Sequence, residues 1–157
     1  MEFTVRAIGW VRSTRAATVD DGWDSERCAI ELDDSVPADA LLGLDQFSHV
    51  VVVFCFDRAQ DAPPAPFVRH PRGNPDYPKV GIFAQRAKDR PNRIGVTTCR
   101  IVSVSDRRVE VHGLDAVDGT PVLDMKPHLV QFDARGEVHQ PAWTDELMSR
   151  YFDDLSR

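Results

Sequence analysis

The sequence predicts a mainly β protein, a compact antiparallel β-barrel or strongly curved sheet with one irregular excursion and a short C-terminal helix. Three observations carry that expectation. Short runs of β-branched and aromatic residues, several of them alternating apolar with polar, recur along residues 3–132. Seven of the 11 prolines lie between Ala62 and Pro91, in a stretch that resists any repetitive element. Helical periodicity emerges only beyond Gln140. Many short strands with few helices favour a sheet closed on itself, because closure removes the unpaired edges.

The elements follow in chain order. Residues 3–11 read as an opening strand interrupted at Gly9. In Cys28-Ala29-Ile30-Glu31-Leu32 the alternation places Cys28, Ile30 and Leu32 on one face. Residues 37–44 make a short helical or turning connection to the run Ser48-His49-Val50-Val51-Val52-Val53-Phe54-Cys55-Phe56. Its unbroken apolar character predicts a central strand covered on both faces. The proline-rich excursion follows, and long structureless loops in compact domains usually have a task. Inside it residues 79–84 suit a short strand, whereas residues 89–93 suit a turn.

Strand character returns at residues 94–104 and 108–114, separated by Ser105-Asp106-Arg107, which predicts a hairpin. Val109 and Val111 then face the core, with Glu110 and His112 pointing away. Asp118-Gly119 is a turn, residues 121–125 a short strand and residues 128–132 a last one. In the tail Thr144 is placed to cap a helix with Asp145 and Glu146 in its first turn. Leu147, Met148, Tyr151, Phe152 and Leu155 form its apolar stripe, to be covered by the same subunit or by a partner. The organisation expected is one β domain over residues 1–140 and a helical tail over 141–157.

Composition bounds the function classes. With 157 residues the chain holds one core, and 42% hydrophobic with 28% charged residues exclude wholesale disorder. The longest strongly apolar run, residues 50–56, falls far short of the ~20 residues that cross a bilayer, so no membrane contact is expected. The opening residues lack a basic segment, apolar stretch and cleavage site, which predicts a cytoplasmic protein. Cys28, Cys55 and Cys99 are odd in number and form no CxxC pair, against a disulfide framework or a cysteine zinc site. Cys55 and Cys99 sit in apolar runs and read as buried thiols. No HExxH, GxSxG, Walker or GxGxxG pattern occurs, which removes the usual sequence basis for metal hydrolysis, triad chemistry and phosphate cradling.

The net charge of −6 argues against a general polyanion binder. Yet residues 69–100 carry eight cations (Arg69, Arg72, Lys79, Arg86, Lys88, Arg90, Arg93 and Arg100) against Asp76 and Asp89. That segment either offers a local positive surface or serves internal ion pairing. Within it, the turn at Asp89-Arg90-Pro91-Asn92-Arg93 preorganises nearby side chains. Arg86 and Arg90 suit a carboxylate or phosphate, and Asn92 either binds a ligand amide or completes the turn. In residues 113–127, Asp124 and Lys126 share one face of an extended segment, for binding or for pairing. His49 suits proton transfer or structural support, and His70, on the excursion, suits ligand contact.

These motifs resemble the TsaA-like family, whose best understood branch is the TrmO methyltransferases. The resemblance rests on Ile8-Gly9, on Leu44-Asp45-Gln46-Phe47-Ser48-His49, on Gly81-Ile82-Phe83-Ala84-Gln85-Arg86, on Arg90-Pro91-Asn92-Arg93-Ile94-Gly95, and on Asp118-Gly119-Thr120-Pro121-Val122-Leu123-Asp124-Met125-Lys126-Pro127. It implies a small β-barrel that binds S-adenosyl-L-methionine near the boundary of a homodimer. It further implies that Phe83, Ala84, Gln85 and Arg86 line the cofactor pocket with His70 entering near it, that Arg90 shapes it, and that Leu114, Asp124 and Lys126 form its opposite wall. The implied reaction is N6-methylation of threonylcarbamoyladenosine at tRNA position 37. The alternatives are a small-molecule methyl acceptor or a noncatalytic S-adenosylmethionine-binding regulator. Three positions depart from the family pattern, Gln85 for threonine, Ala87 for serine and Arg93 for proline, and His128 stands for the usual tyrosine. The longer bacterial members also have an additional C-terminal domain, where this sequence has residues 143–157.

Overall fold

Alternating burial along short strands builds the core of the computed structural model, which describes residues 1–17, 21–23, 27–59 and 65–152. Six strands close into an antiparallel barrel: β1 (Gly9–Arg12), β2 (Arg27–Leu32), β3 (His49–Cys55), β6 (Ile94–Ser105), β7 (Arg108–His112) and β8 (Pro121–Pro127). Around the barrel the order is β1-β2-β7-β6-β3-β8, and β8 returns to β1 through Gly9 opposite Val122. A separate two-stranded ribbon, β4 (Val68–Arg69) with β5 (Val80–Gly81), stands in the excursion.

The interior is filled by β-branched and aromatic side chains, among them Val11, Ile30, Val50, Val52, Phe54, Val109, Val111 and Val122, all fully buried. β-branched residues favour extended backbone because their χ1 freedom is already restricted, and on a closed sheet alternate positions all reach one interior. β6 is the element that turns the corner. Its first half pairs with β3 and its second half with β7, with a register shift between Ile101 and Ser103. A bulge of this kind bends a strand and raises its twist, which helps a six-stranded sheet to close.

Gly95 is demanded by packing. It lies opposite Phe54, and a Cβ there would sit 2.4 Å from two atoms of the Phe54 ring. The glycine gives that ring its seat at the end of the barrel.

Several expectations are corrected. β1 begins at Gly9, and Phe3 and Val5 are exposed outside it. β3 is covered on one face only: Val50, Val52 and Phe54 are buried, while Val51, Val53 and Cys55 are half-buried on the outside. Cys55 is therefore not a core thiol, whereas Cys28 and Cys99 are. Of residues 79–84 only Val80–Gly81 pair as a strand, and Ile82–Ala84 turn in a 3-10 helix. Residues 128–132 form no strand, and Val130–Phe132 make a 3-10 turn with Val130 and Phe132 exposed. The helix α1 (Ala142–Met148) starts after Pro141, so Thr144 lies within its first turn and donates its hydroxyl to the Pro141 carbonyl (2.6 Å). Leu155 lies outside the described residues.

Candidate functional site

One end of the barrel opens into a cavity of about 940 Å³, within the range of small-molecule sites. Its floor is the end of β3 with Phe54 and Phe56, whose rings meet edge to face at 5.1 Å. The loop that follows β7 adds Asp115, Ala116 and Val117, and Thr120 precedes β8. The excursion forms one wall with His70, Pro71 and residues 84–89. Trp23 stands at another side, and Trp143, Thr144, Leu147, Met148 and Tyr151 form the wall contributed by α1 and the residue turn after it.

Residues 69–90 of the excursion are braced by their own polar groups. The Gln85 amide donates to the carbonyls of Val80 (3.1 Å) and Arg69 (3.4 Å), tying the ribbon to the wall. Arg90 donates to the Gln85 carbonyl (3.1 Å), and Arg69 pairs with Asp89 (3.3 Å). His70 donates from Nδ1 to the Tyr77 carbonyl (2.6 Å), which leaves Nε2 outside that bond. Arg86 reaches back to the Val96 carbonyl on β6. A wall braced this way presents its remaining donors at low entropic cost.

Asp115 is the buried acid of the floor. Its carboxylate accepts hydrogen bonds from the Thr97 hydroxyl and from Tyr151 (2.5 Å). Burial pushes its carboxyl above the usual carboxylate range, opposed by those two donors and by the positive charge of Arg86. Asp115 stands among the rings of the floor, while Arg86 belongs to a rim of charged residues that also includes Asp57, Arg58, Lys79, Lys88 and Asp89.

The structure sorts the sequence-derived residues into three groups. His70, Ala84, Gln85 and Arg86 line the cavity together. Phe83 and Arg90 flank it without lining it, Phe83 80% exposed and Arg90 as a brace. Leu114 is fully buried in the barrel core beneath Asp115. Asp124 and Lys126 stand on the outer face of β8, opposite Val53 and Val51, and pair with each other. They do not line the cavity of the single chain. Asn92 is exposed in its turn, and His49 sits on the outside of β3 beside Ser48 (2.8 Å) and near the His128 ring.

Sequence reasoning missed Asp115, Tyr151, Trp143 and Trp23. A signal for Asp115 exists, since it is a lone carboxylate within the apolar stretch Gly113-Leu114-Asp115-Ala116-Val117. Tyr151 reads from the sequence as part of a helical stripe, and nothing local shows that it reaches a residue 36 positions earlier. The cationic segment has a mixed purpose. Arg69 is paired and Arg72 holds Asp21 through two bonds (3.0 and 2.6 Å), while Arg58, ahead of the segment, likewise holds the carbonyls of Ala16 and Asp118. Lys79, Arg86 and Lys88 add positive charge to the cavity lining.

Comparison with known proteins agrees with this architecture. Residues 16–134 match the family described as the tRNA-methyltransferase O N-terminal domain. The chain is similar to the human tRNA (adenine(37)-N6)-methyltransferase, 37% identical over 105 residues, which is 67% of this chain and 23% of that protein. It is also similar to a probable S-adenosyl-L-methionine-binding protein of Methanothermobacter thermautotrophicus, 35% identical over 141 residues, covering 87% of this chain and 97% of the relative. Among solved structures, TrmO from Pseudomonas aeruginosa superposes with a TM-score of 0.70 at 32% identity, covering 88% of this chain and 61% of that one. The chain therefore spans less than a quarter of the human relative and nearly all of the archaeal one. On the extent of the family match and the shared barrel, this chain belongs to the tRNA-methyltransferase O N-terminal domain family.

Proposed function

We propose that this chain is an S-adenosylmethionine-dependent methyltransferase that acts on the N6 position of threonylcarbamoyladenosine at tRNA position 37. The observation that carries the reading is that Arg86 and Asp115 line one cavity, at the end of a barrel whose relatives are named for that cofactor and that base. The donor set fits an amino-acid-bearing ligand: a guanidinium for its carboxylate, a carboxylate for its ammonium, and aromatic rings for its flat and sulfur-bearing parts. The cofactor supplies an electrophilic methyl group when bound. The protein's part is placement: Arg86 and Asp115 fix orientation, the braced excursion holds them still, and the rings of Phe54 and Phe56 exclude water. His70, with Nδ1 committed, keeps Nε2 to take the proton displaced from the acceptor nitrogen.

Lys79 and Lys88 give the cavity wall the positive charge that an RNA phosphate requires. A homodimer is part of the same proposal. The outer face carries half-buried Val51 and Val53 beside Ile94 and Val96, 40% and 42% exposed, an apolar surface suited to a second copy. Asp124 and Lys126 border that face, which in such a dimer puts them at the subunit boundary, near which the family resemblance expects the cofactor. Among the described residues no helix is long and apolar enough to cross a membrane.

The near full-length similarity to the archaeal S-adenosylmethionine-binding protein favours a second reading, binding with a small-molecule acceptor or with none. Incubation with methyl-labelled S-adenosylmethionine and separate RNA and metabolite fractions decides between them. Label in threonylcarbamoyladenosine supports the first reading; label confined to metabolites, or bound cofactor without transfer, selects the second. Arg86→Ala is expected to weaken S-adenosylhomocysteine binding about tenfold or more, the scale of a lost charge-assisted hydrogen bond, and unchanged calorimetric affinity rejects its role.

A further inference from the structure

The cavity wall formed by α1 lies beyond residue 134, where the family match ends. Along this segment Trp143, Thr144, Leu147, Met148 and Tyr151 are half-buried, whereas residues 145, 146, 149, 150 and 152 are exposed. The partly covered positions recur at helical spacing and are the ones that line the cavity. No residue of the helix is fully buried. A helix of seven residues has little stability of its own and depends on what its apolar face meets.

The segment is nevertheless fastened at both ends. Trp143 stands 6.2 Å from the Tyr77 ring of the excursion. At the far end the backbone N–H groups of Gly22 and Trp23 donate to the carbonyls of Arg150 (3.2 Å) and Tyr151 (3.0 Å). The Tyr151 hydroxyl spans to the Asp115 carboxylate (2.5 Å). A helix held over a cavity, with its apolar face toward the space and a hydroxyl on the buried Asp115 carboxyl, is built to meet a ligand.

We propose that the segment from Trp143 to Tyr151 is a working wall of the ligand site, in which Trp143, Leu147 and Met148 pack against a purine ring and Tyr151 positions Asp115. This rests on the reading of the cavity as an adenosyl-ligand site. A purine fits because it is flat and apolar on its faces, and a Trp, Leu and Met surface offers stacking and sulfur contacts without charge. The ring belongs either to the adenosyl ligand or to the adenine of the methyl acceptor. Tyr151 is a positioning residue: with Thr97 it orients the carboxylate and favours its ionised form, so that Asp115 can hold a ligand cation. The charged and titratable groups around that carboxylate are Arg86 from the excursion, Tyr151 from the tail and Cys99 from β6.

The test titrates S-adenosylhomocysteine and an adenosine-bearing anticodon stem-loop RNA separately into the full chain and into Trp143→Ala, Trp143→Phe and Tyr151→Phe, each verified as folded by circular dichroism. Trp143→Ala is expected to lose roughly tenfold in affinity, the scale of one base–aromatic stack, with most of it restored by Trp143→Phe. Loss toward S-adenosylhomocysteine assigns the ring to the cofactor, and loss toward the RNA alone assigns it to the acceptor base. Tyr151→Phe removes only a hydroxyl, and the acid limb of S-adenosylhomocysteine affinity is expected to move toward neutral pH, because Asp115 then loses a donor that favours its charge. Unchanged affinities for both ligands in Trp143→Ala, or an unmoved acid limb in Tyr151→Phe, overturn the wall. A wild-type chain that binds no S-adenosylhomocysteine overturns instead the cofactor reading beneath it.

Discussion

Replacing Gly95 by alanine tests how the barrel end is built. The added Cβ would stand 2.4 Å from both Cε2 and Cζ of Phe54, whereas relaxed carbon–carbon contacts are about 3.5–4.0 Å. The ring therefore has to shift by about 1 Å or the strand has to bend. Phe54 is fully buried and held edge-on by Phe56, so neither movement is free. Overpacking of this kind costs about 1–3 kcal/mol, and the open cavity beside the ring keeps the expected value near 2 kcal/mol, or a melting-point fall of roughly 4–8 °C at this chain length. The informative experiment is a double-mutant cycle by urea unfolding. Phe54→Ala alone should cost about 3–5 kcal/mol. In that background the clash is gone, and Gly95→Ala should become neutral or slightly stabilising, since alanine loses less backbone freedom on folding. Equal costs of Gly95→Ala in both backgrounds, within about 0.5 kcal/mol, would refute the packing argument.

Two further outcomes follow from the backbone and the buried acid. Arg93 occupies a left-handed conformation (φ 50°) in the turn before β6, so Arg93→Gly should stabilise by about 1 kcal/mol, while Arg93→Pro, closer to the family pattern, should destabilise because proline cannot reach that φ; chemical denaturation of both variants decides. Asp115 has its carboxyl raised by burial in the folded state, so its favourable contribution is present below the unfolded carboxylate range and lost as pH rises through the folded value. Asp115→Asn should accordingly gain stability over wild type as pH increases from about 4 to 8, while losing affinity for S-adenosylhomocysteine; a stability difference that shrinks with rising pH contradicts the assignment.

The hairpin of β6 and β7 was legible because its turn and its alternation are local, and the structure puts Val109 and Val111 in the core as expected. β3 misled because four consecutive valines hide the period of two. Only the closed sheet shows that Val51 and Val53 stand outside. Residues 128–132 misled for a related reason: Leu129, Val130 and Phe132 have strand composition but find no strand to pair with.

The site was legible where one segment carries it. Arg86, Ala84 and Gln85 are adjacent, and the prolines announce a fixed loop around them. Gln85 is informative in hindsight, since its amide is spent on the Val80 and Arg69 carbonyls rather than facing a ligand as a free group. Spacing correctly put Asp124 and Lys126 on one face of β8, but spacing cannot say whether that face is inside or outside. Asp115 and Tyr151 meet only through tertiary folding, so no window along the chain contains their pairing.

In the proposed reading, the cavity between the excursion and the α1 wall holds the adenosyl cofactor by the carboxylate and ammonium of its amino-acid end. A crystal structure of the chain grown with S-adenosylhomocysteine tests it most directly. The ligand is expected in this cavity, its carboxylate about 3 Å from the Arg86 guanidinium and its ammonium on Asp115. Ligand bound only on the outer face of β8, at Asp124 and Lys126 of the same chain, would contradict it, as would an empty cavity in crystals grown at saturating ligand.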